Sequence, residues 1–354
     1  MNLSREYPGI LADGGEEETE TAIAANALFE SCYDRFLALR TILKQWTPNT
    51  LRSMRRVGRL VCQFTPHLEV GQIDKEWLHS FCQYQQSHCL RQRPDDMAAG
   101  YSNPVIRKNC SVLKSFLRWL ADCGMIDRKM VDEWVPMVKT VTRPVIFLTC
   151  EELTRFLSVD VREGLPMQRA RDIFAFACFT GLRYSDIMNL RKTDVKADCL
   201  QLTTVKTSVQ LRIELNEHSR ALLARYMPLP GQNVLPHMDN AQLNIYIKKV
   251  AEAAGINEPL TITQYYGRER RAVTLPKHAL LSCHAGRRTF ICTALALGIA
   301  PDVIMKWTGH SDYTAMRPYI DIADAARRAA MSRFDTLHLD VPESDKCLRT
   351  GHIG

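Results

Sequence analysis

The chain has 354 residues, enough for roughly two domains around a sizeable core. With 46% hydrophobic and 24% charged residues it has the composition of an ordinary globular protein, and no apolar run approaches the roughly 20 residues of a membrane span. A net charge of +7 favours a polyanionic partner, while 12 scattered cysteines without a C-x-x-C pair argue against a zinc ribbon or a thioredoxin-like site.

Residues 1–20, with Gly14, Gly15 and several glutamates, bury little and read as a flexible tail. Glu16, Glu17 and Glu18 stand where a secretory peptide needs a basic end and an apolar core, so a cytoplasmic protein with reduced thiols is expected. Helical patterning starts near Thr21. A second helix follows Trp46-Thr47-Pro48-Asn49, with Leu51, Met54, Val57, Leu60 and Val61 on one face. Arg52, Arg55, Arg56 and Arg59, at offsets of three, four and seven, form a stripe on the other. A third helix is expected over about 73–90 and a loop over 91–101. Cap and proline signals at Ser102-Asn103-Pro104 open a fourth. Its apolar face holds Ile106, Cys110, Leu113, Leu117 and Leu120; Arg107, Lys108, Lys114 and Arg118 lie opposite. One basic stripe is a solvated face. Two in one helical domain of 21–135, almost without compensating acids, suit a DNA backbone.

Pro136, Pro144 and an extended Val-Ile-Phe-Leu stretch make 136–148 a linker. A second domain, 149–335, opens on a capping box, Thr149 with Glu152, ahead of Leu153, Phe156 and Leu157. A buried helix ends at Thr180-Gly181. Alternation over 200–215, broken at Lys206-Thr207-Ser208, predicts a β-hairpin. The rest is mainly helical, interrupted near 261–276 by a loop or second hairpin containing Gly267. Residues 322–331 form a strong helix candidate and 336–354 a C-terminal tail. The expected fold is mainly α with a small β-sheet.

Six side chains in the second domain suit attack on a phosphodiester. In-line displacement builds negative charge on the equatorial oxygens, which calls for fixed donors, and arginine offers a planar, permanently charged fork. Arg183 follows Thr180-Gly181-Leu182. His284 and Arg287, three apart in His-Ala-Gly-Arg, share a helix face if 283–297 is helical. His310 follows Gly309, Tyr319 comes nine residues later with Tyr313 as rival, and Lys206 sits at the hairpin turn. Taken alone, each residue is more simply explained as an ordinary surface or packing side chain.

Together, Thr-Gly-Leu-Arg, the hairpin Lys-Thr, His-x-x-Arg, Gly-His and Tyr resemble the tyrosine recombinases, or phage-type integrases, over about 149–334. The stretch His284 to Phe290 is most similar to integrases of bacterial mobile elements such as conjugative transposons. The resemblance implies a two-domain, C-shaped clamp with an N-terminal core-binding domain and a catalytic domain. Tyr319 would be the nucleophile of a 3′-phosphotyrosyl intermediate; Arg183 and Arg287 would clamp the phosphate. His310 would donate to the transition state, His284 would assist the tyrosine, and Lys206 would protonate the leaving 5′-oxygen. It implies no metal and no cofactor, double-stranded DNA as partner, and a homo-tetramer on DNA with the C-terminal helix docked in trans. Accessory DNA-bending proteins are compatible. A resolvase, an invertase or a type IB topoisomerase shares the chemistry; a non-catalytic DNA-binding protein is the alternative outside it. Asp186 stands where many members have Glu, and Gly286 where Leu is frequent.

Overall fold

The computed structural model describes residues 26–44, 46–88, 100–161 and 166–320. The expected tail over 1–20, helix start near Thr21, most of the 91–101 loop, the helix over 322–331 and the 336–354 tail lie outside them. The chain divides into two compact units. One comprises residues up to 143 together with 262–273; the other comprises 144–261 and the residues from 274 onward. Among the described residues no helix is long and apolar enough to cross a membrane.

The first unit is helical: α1 (Phe29–Lys44), α2 (Pro48–Phe64), α3 (Lys75–Ser87), α4 (Asn103–Asp122) and the short α5 (Arg128–Glu133). Thr47 caps α2 by accepting from the Thr50 amide, and Asp74 caps α3 by accepting from Trp77, which starts α3 later than the apolar pattern suggests. Phe29, Phe36, Phe81 and Phe116 fill the core with Val57, Leu60, Leu113 and Leu117. Phe116 meets Phe29, Tyr33 and Phe36 edge-on at 4.9–5.4 Å between centroids, the favoured aromatic geometry.

The second unit opens with α6 (Cys150–Leu157), where both capping-box bonds form between Thr149 and Glu152. Glu152 also binds Lys277 at 2.7 Å; both side chains are buried, so the charges satisfy each other. The central helix is α7 (Pro166–Thr180), which buries Ile173, Phe174, Phe176 and Ala177. The short α8 (Tyr184–Met188) follows, then strands β1 (Cys199–Thr203) and β2 (Gln210–Glu214), paired antiparallel with Leu200 opposite Ile213 and Leu202 opposite Leu211. After α9 (Glu217–Tyr226) and α10 (Asn240–Ala253), β3 (Pro259–Tyr266) and β4 (Glu269–Pro276) resolve the loop-or-hairpin alternative as a hairpin turning at Gly267. The hairpin tip belongs to the first unit, where buried Asn103 donates to the Gly267 carbonyl and accepts from its amide, each at 2.8 Å.

The chain continues through α11 (Lys277–Leu280), α12 (Cys283–Ala296), α13 (Pro301–Thr308) and α14 (Arg317–Ile320). Gly286 accounts for one departure from the family pattern. A Cβ there would stand 2.8 Å from the Ala177 Cβ and 3.2 Å from the Phe174 carbonyl, so α12 needs glycine to lie against α7.

Candidate active site

Arg287 anchors the site. Only 1% of it is exposed, so the guanidinium needs buried partners. It donates to the Gly181 carbonyl at 2.8 Å and to the Thr308 carbonyl. Gly181 presents its carbonyl from a left-handed conformation, φ 69°, and an added Cβ would come 2.6 Å from the Phe290 ring. Burial first, then Arg183, pushes the Arg287 pKa down to about 9, while Tyr319 and Asp186 oppose the shift. Arginine at that value is still charged at neutral pH.

Arg183 caps α8 two residues beyond Gly181. Its Nη1 atom is buried without a hydrogen-bond partner, as is Oδ2 of Asp186. The other Asp186 oxygen accepts from the Val205 amide at 2.9 Å. This bond ties the α8 turn to the β1–β2 turn that carries Lys206. Within that turn the Thr204 and Thr207 hydroxyls meet at 2.8 Å, and Thr204 Oγ1 accepts from Val209. Lys206 is left exposed at the tip.

His284 lies in the first turn of α12, three residues before Arg287. Enclosure by the fold, followed by Arg288, Arg287, Arg183 and Lys206, lowers its pKa to about 4. Solvent reaches much of this residue, so the downward direction rests more firmly on the four cations than on burial. His310 follows Gly309, whose φ of 62° ends α13. Its Nε2 is 3.2 Å from Arg287 Nη2 and its Nδ1 is 2.8 Å from the Thr308 hydroxyl. Burial, then Arg287, Arg183 and His284, brings its pKa to about 4. Tyr319, on α14, packs half-buried beside Ile291, Ile304 and Met316, near enough to Arg287 to influence its charge. Tyr313 is 57% exposed on a separate short turn.

The fold therefore brings Arg183, Lys206, His284, Arg287, His310 and Tyr319 into one electrostatic neighbourhood within the second unit. Thr308, which holds both Arg287 and His310, was not singled out from sequence; a threonine ending a helix carries no distinguishing signal. The Asp186–Val205 bond was equally hidden, because it joins segments that sequence spacing does not pair. Arg288 adds a further cation beside His284.

The basic residues of the first unit behave unequally. Arg52, Arg55 and Arg59 line a groove between α1 and α2 shared with Glu30 and Asp34. Arg56 turns away, donating to Asn109 at 2.7 Å with its guanidinium over the Tyr101 ring. Arg107 and Lys108 are exposed. Lys114 donates to the carbonyls of Asp132 and Trp134, and Arg118 pairs with Asp132, so both fasten the C-terminal end of α5. Acids thus compensate these stripes more than the helical pattern of α2 and α4 suggests.

A model of the phage integrase family matches residues 147–326. No curated relative matches the chain by sequence. The fold is similar to a lambda integrase dimer bound to a core site, at 14% identity and TM-score 0.61, over 90% of this chain and 84% of that one. It is similar to the Tn1549 transposon integrase in complex with transposon right-end DNA, at 17% identity and TM-score 0.62, over 87% and 100%. A lambda integrase tetramer bound to a Holliday junction matches at 14% identity and TM-score 0.59, over 87% and 85%.

Proposed function

The chain belongs to the phage integrase family, and on that premise we propose that Tyr319 attacks a DNA phosphodiester, forming a 3′-phosphotyrosyl link that is later reversed onto a new 5′-hydroxyl. It is a tyrosine-type site-specific recombinase, an enzyme of DNA strand breaking and rejoining. One observation supports the residue assignments above the others. Arg287 is fixed by two carbonyls while the neighbouring Arg183 keeps a buried N–H without an acceptor, which a non-bridging phosphate oxygen would supply.

In this reading the two guanidiniums hold the equatorial oxygens and neutralise the charge that grows on them. His284, neutral at physiological pH, takes the Tyr319 proton or hydrogen-bonds the phenol. His310 donates to the phosphate once the anion has reversed the cationic field around it. Lys206, on an exposed turn steadied by Asp186, protonates the departing 5′-oxygen. The phosphotyrosyl bond conserves the energy of the broken ester, so strand joining needs no nucleotide hydrolysis.

Residues 149–335 serve as the catalytic domain and 21–135 as a DNA-binding domain, with Arg52, Arg55, Arg59, Arg107 and Lys108, together with the half-buried Arg56 that Asn109 orients, facing the phosphate backbone. Lambda integrase complexes with DNA, one a dimer and one a tetramer, and a DNA complex of a transposon integrase support a tetramer on DNA that integrates and excises a mobile element in the cytoplasm.

A nicked suicide version of the recombination site tests the reading. An SDS-resistant, protease-sensitive adduct is expected, absent in Tyr319→Phe and kept in Tyr313→Phe. The reverse pattern would transfer the nucleophile to Tyr313. No adduct with any substrate would defeat the reading.

A further inference from the structure

We propose that Cys82 and Cys110 form a peroxide-oxidisable dithiol whose closure to a disulfide weakens DNA binding through Arg56. Its DNA readout rests on the recombinase reading above; its chemistry does not.

The two thiols face each other across α3 and α4 with their sulfurs 3.4 Å apart. Cys110 is fully buried and Cys82 is 5% exposed. Among the described residues no other two sulfurs lie in hydrogen-bond contact. A purely apolar seam would fill this space at lower cost, yet the chain places buried Gln85 and Asn109 beside the pair. Their hydrogen bonds run in one direction. Arg56 donates to Asn109 at 2.7 Å, Asn109 donates to Gln85 at 2.9 Å, and Gln85 donates to the Cys110 sulfur at 3.8 Å. Gln85 shares its amide with the Phe81 carbonyl. Either thiol can donate across the remaining contact, and once Cys82 is a thiolate it accepts the Cys110 S–H.

This relay starts on a cation and ends on sulfur, so each bond polarises the next toward a negative charge at Cys82. The Cys110 hydrogen bond accordingly holds the Cys82 thiol below its ordinary range, against burial, while the Cys110 thiol is pushed up. Cys82 is the attacking thiolate and Cys110 the resolving thiol.

The Cys82 sulfur attacks one oxygen of hydrogen peroxide. The O–O bond breaks, hydroxide leaves and is protonated to water, and Cys82 becomes a sulfenic acid. The Cys110 sulfur then attacks Cys82, the S–O bond breaks, and hydroxide departs as water with the Cys110 proton. Two thiols become one disulfide and one peroxide becomes two waters. The narrow opening at Cys82 suits a small neutral peroxide better than a peptide disulfide.

A disulfide needs the sulfurs at about 2.05 Å, more than 1 Å closer than the thiols stand. Closing that gap shifts α3 against α4 and withdraws the Cys110 sulfur from Gln85. Asn109 and then Arg56 lose their fixed orientation.

The full-length chain, treated with hydrogen peroxide, should yield a Cys82–Cys110-linked peptide on non-reducing mapping. Its affinity for a fluorescent random-sequence duplex should fall by about three- to tenfold, the worth of one ordinary hydrogen bond, and return with dithiothreitol. Cys110→Ser should form no link, so peroxide, which can then only sulfenylate Cys82, should leave its affinity unchanged. Arg56→Ala should form the link without a further loss of affinity. Absence of the linked peptide overturns the dithiol. A complete link with unchanged affinity, or a peroxide effect that persists in Arg56→Ala, overturns the relay. A reduced chain that binds no duplex sinks the recombinase reading, while the linked peptide still decides the dithiol.

Discussion

The Nε2 atom of His310 lies 3.2 Å from the Nη2 atom of Arg287, and the Thr308 hydroxyl decides what that contact is. Thr308 gives its one hydrogen to the Ile304 carbonyl at 2.6 Å, so it accepts from His310 Nδ1. The imidazole is then neutral, with its Nε2 lone pair turned to the guanidinium.

A phosphate arriving beside these groups adds negative charge where burial, together with Arg287, Arg183 and His284, now holds His310 near a pKa of 4. DNA binding should take up protons between about pH 4 and the ordinary histidine value of 6.5, and affinity should fall as pH rises through that window. Calorimetry in buffers of different ionisation enthalpy measures this uptake, which His310→Gln should reduce. For folding, the unfolded chain protonates at 6.5 and the native chain only near 4, so the unfolded state binds more protons in between. Stability should be fully present above pH 6.5 and decline as pH falls toward 4, a trend that thermal melts of wild type and His310→Gln would resolve.

Lys206→Ala should slow cleavage by roughly 10²- to 10⁴-fold, the usual worth of a general acid. A substrate with a 5′-bridging sulfur leaves as a thiolate without help, so it should restore most of the rate. Asp186→Ala frees the Val205 amide and loosens the same turn, costing on the order of 10²-fold in rate, with partial rescue by that substrate. Equal defects on oxygen and sulfur substrates would remove Lys206 from proton transfer.

Gly181→Ala forces alanine into φ 69° and against Phe290, and displaces the carbonyl that holds Arg287. It should destabilise the protein by about 1–3 kcal/mol and abolish the adduct. Gly286→Leu should cost at least a similar amount, about 1–3 kcal/mol, by overpacking the α7–α12 contact. Denaturant midpoints that match wild type would contradict the tight contacts.

The basic residues of the first unit should separate into two groups. Arg55→Ala and Arg59→Ala should each reduce the salt dependence of DNA affinity by about one phosphate contact, with little change in melting temperature. Lys114→Ala and Arg118→Ala should lower the melting temperature and leave the salt slope nearly unchanged, because α5 occupies their charges. Salt titrations and melts of the four variants make the comparison.

The sequence by itself determined the helical periods, the capping box at Thr149 and Glu152 and the hairpin over 200–215, and it singled out the six residues proposed for the site. Those signals are local: cap chemistry, face periodicity and turn residues act within a few positions. It also exposed the two basic stripes, since a stripe needs only spacing along one helix. Tertiary structure alone decided that Arg56 turns to Asn109, that Lys114 and Arg118 are committed to α5, and that Asp186 steadies the Lys206 turn. It also decided that Thr308 sets the state of His310 and that Gly286 admits α7. Each of these depends on which segments meet across the core, and a buried hydrogen bond or a missing Cβ is specified by the partner it meets rather than by its neighbours in the chain.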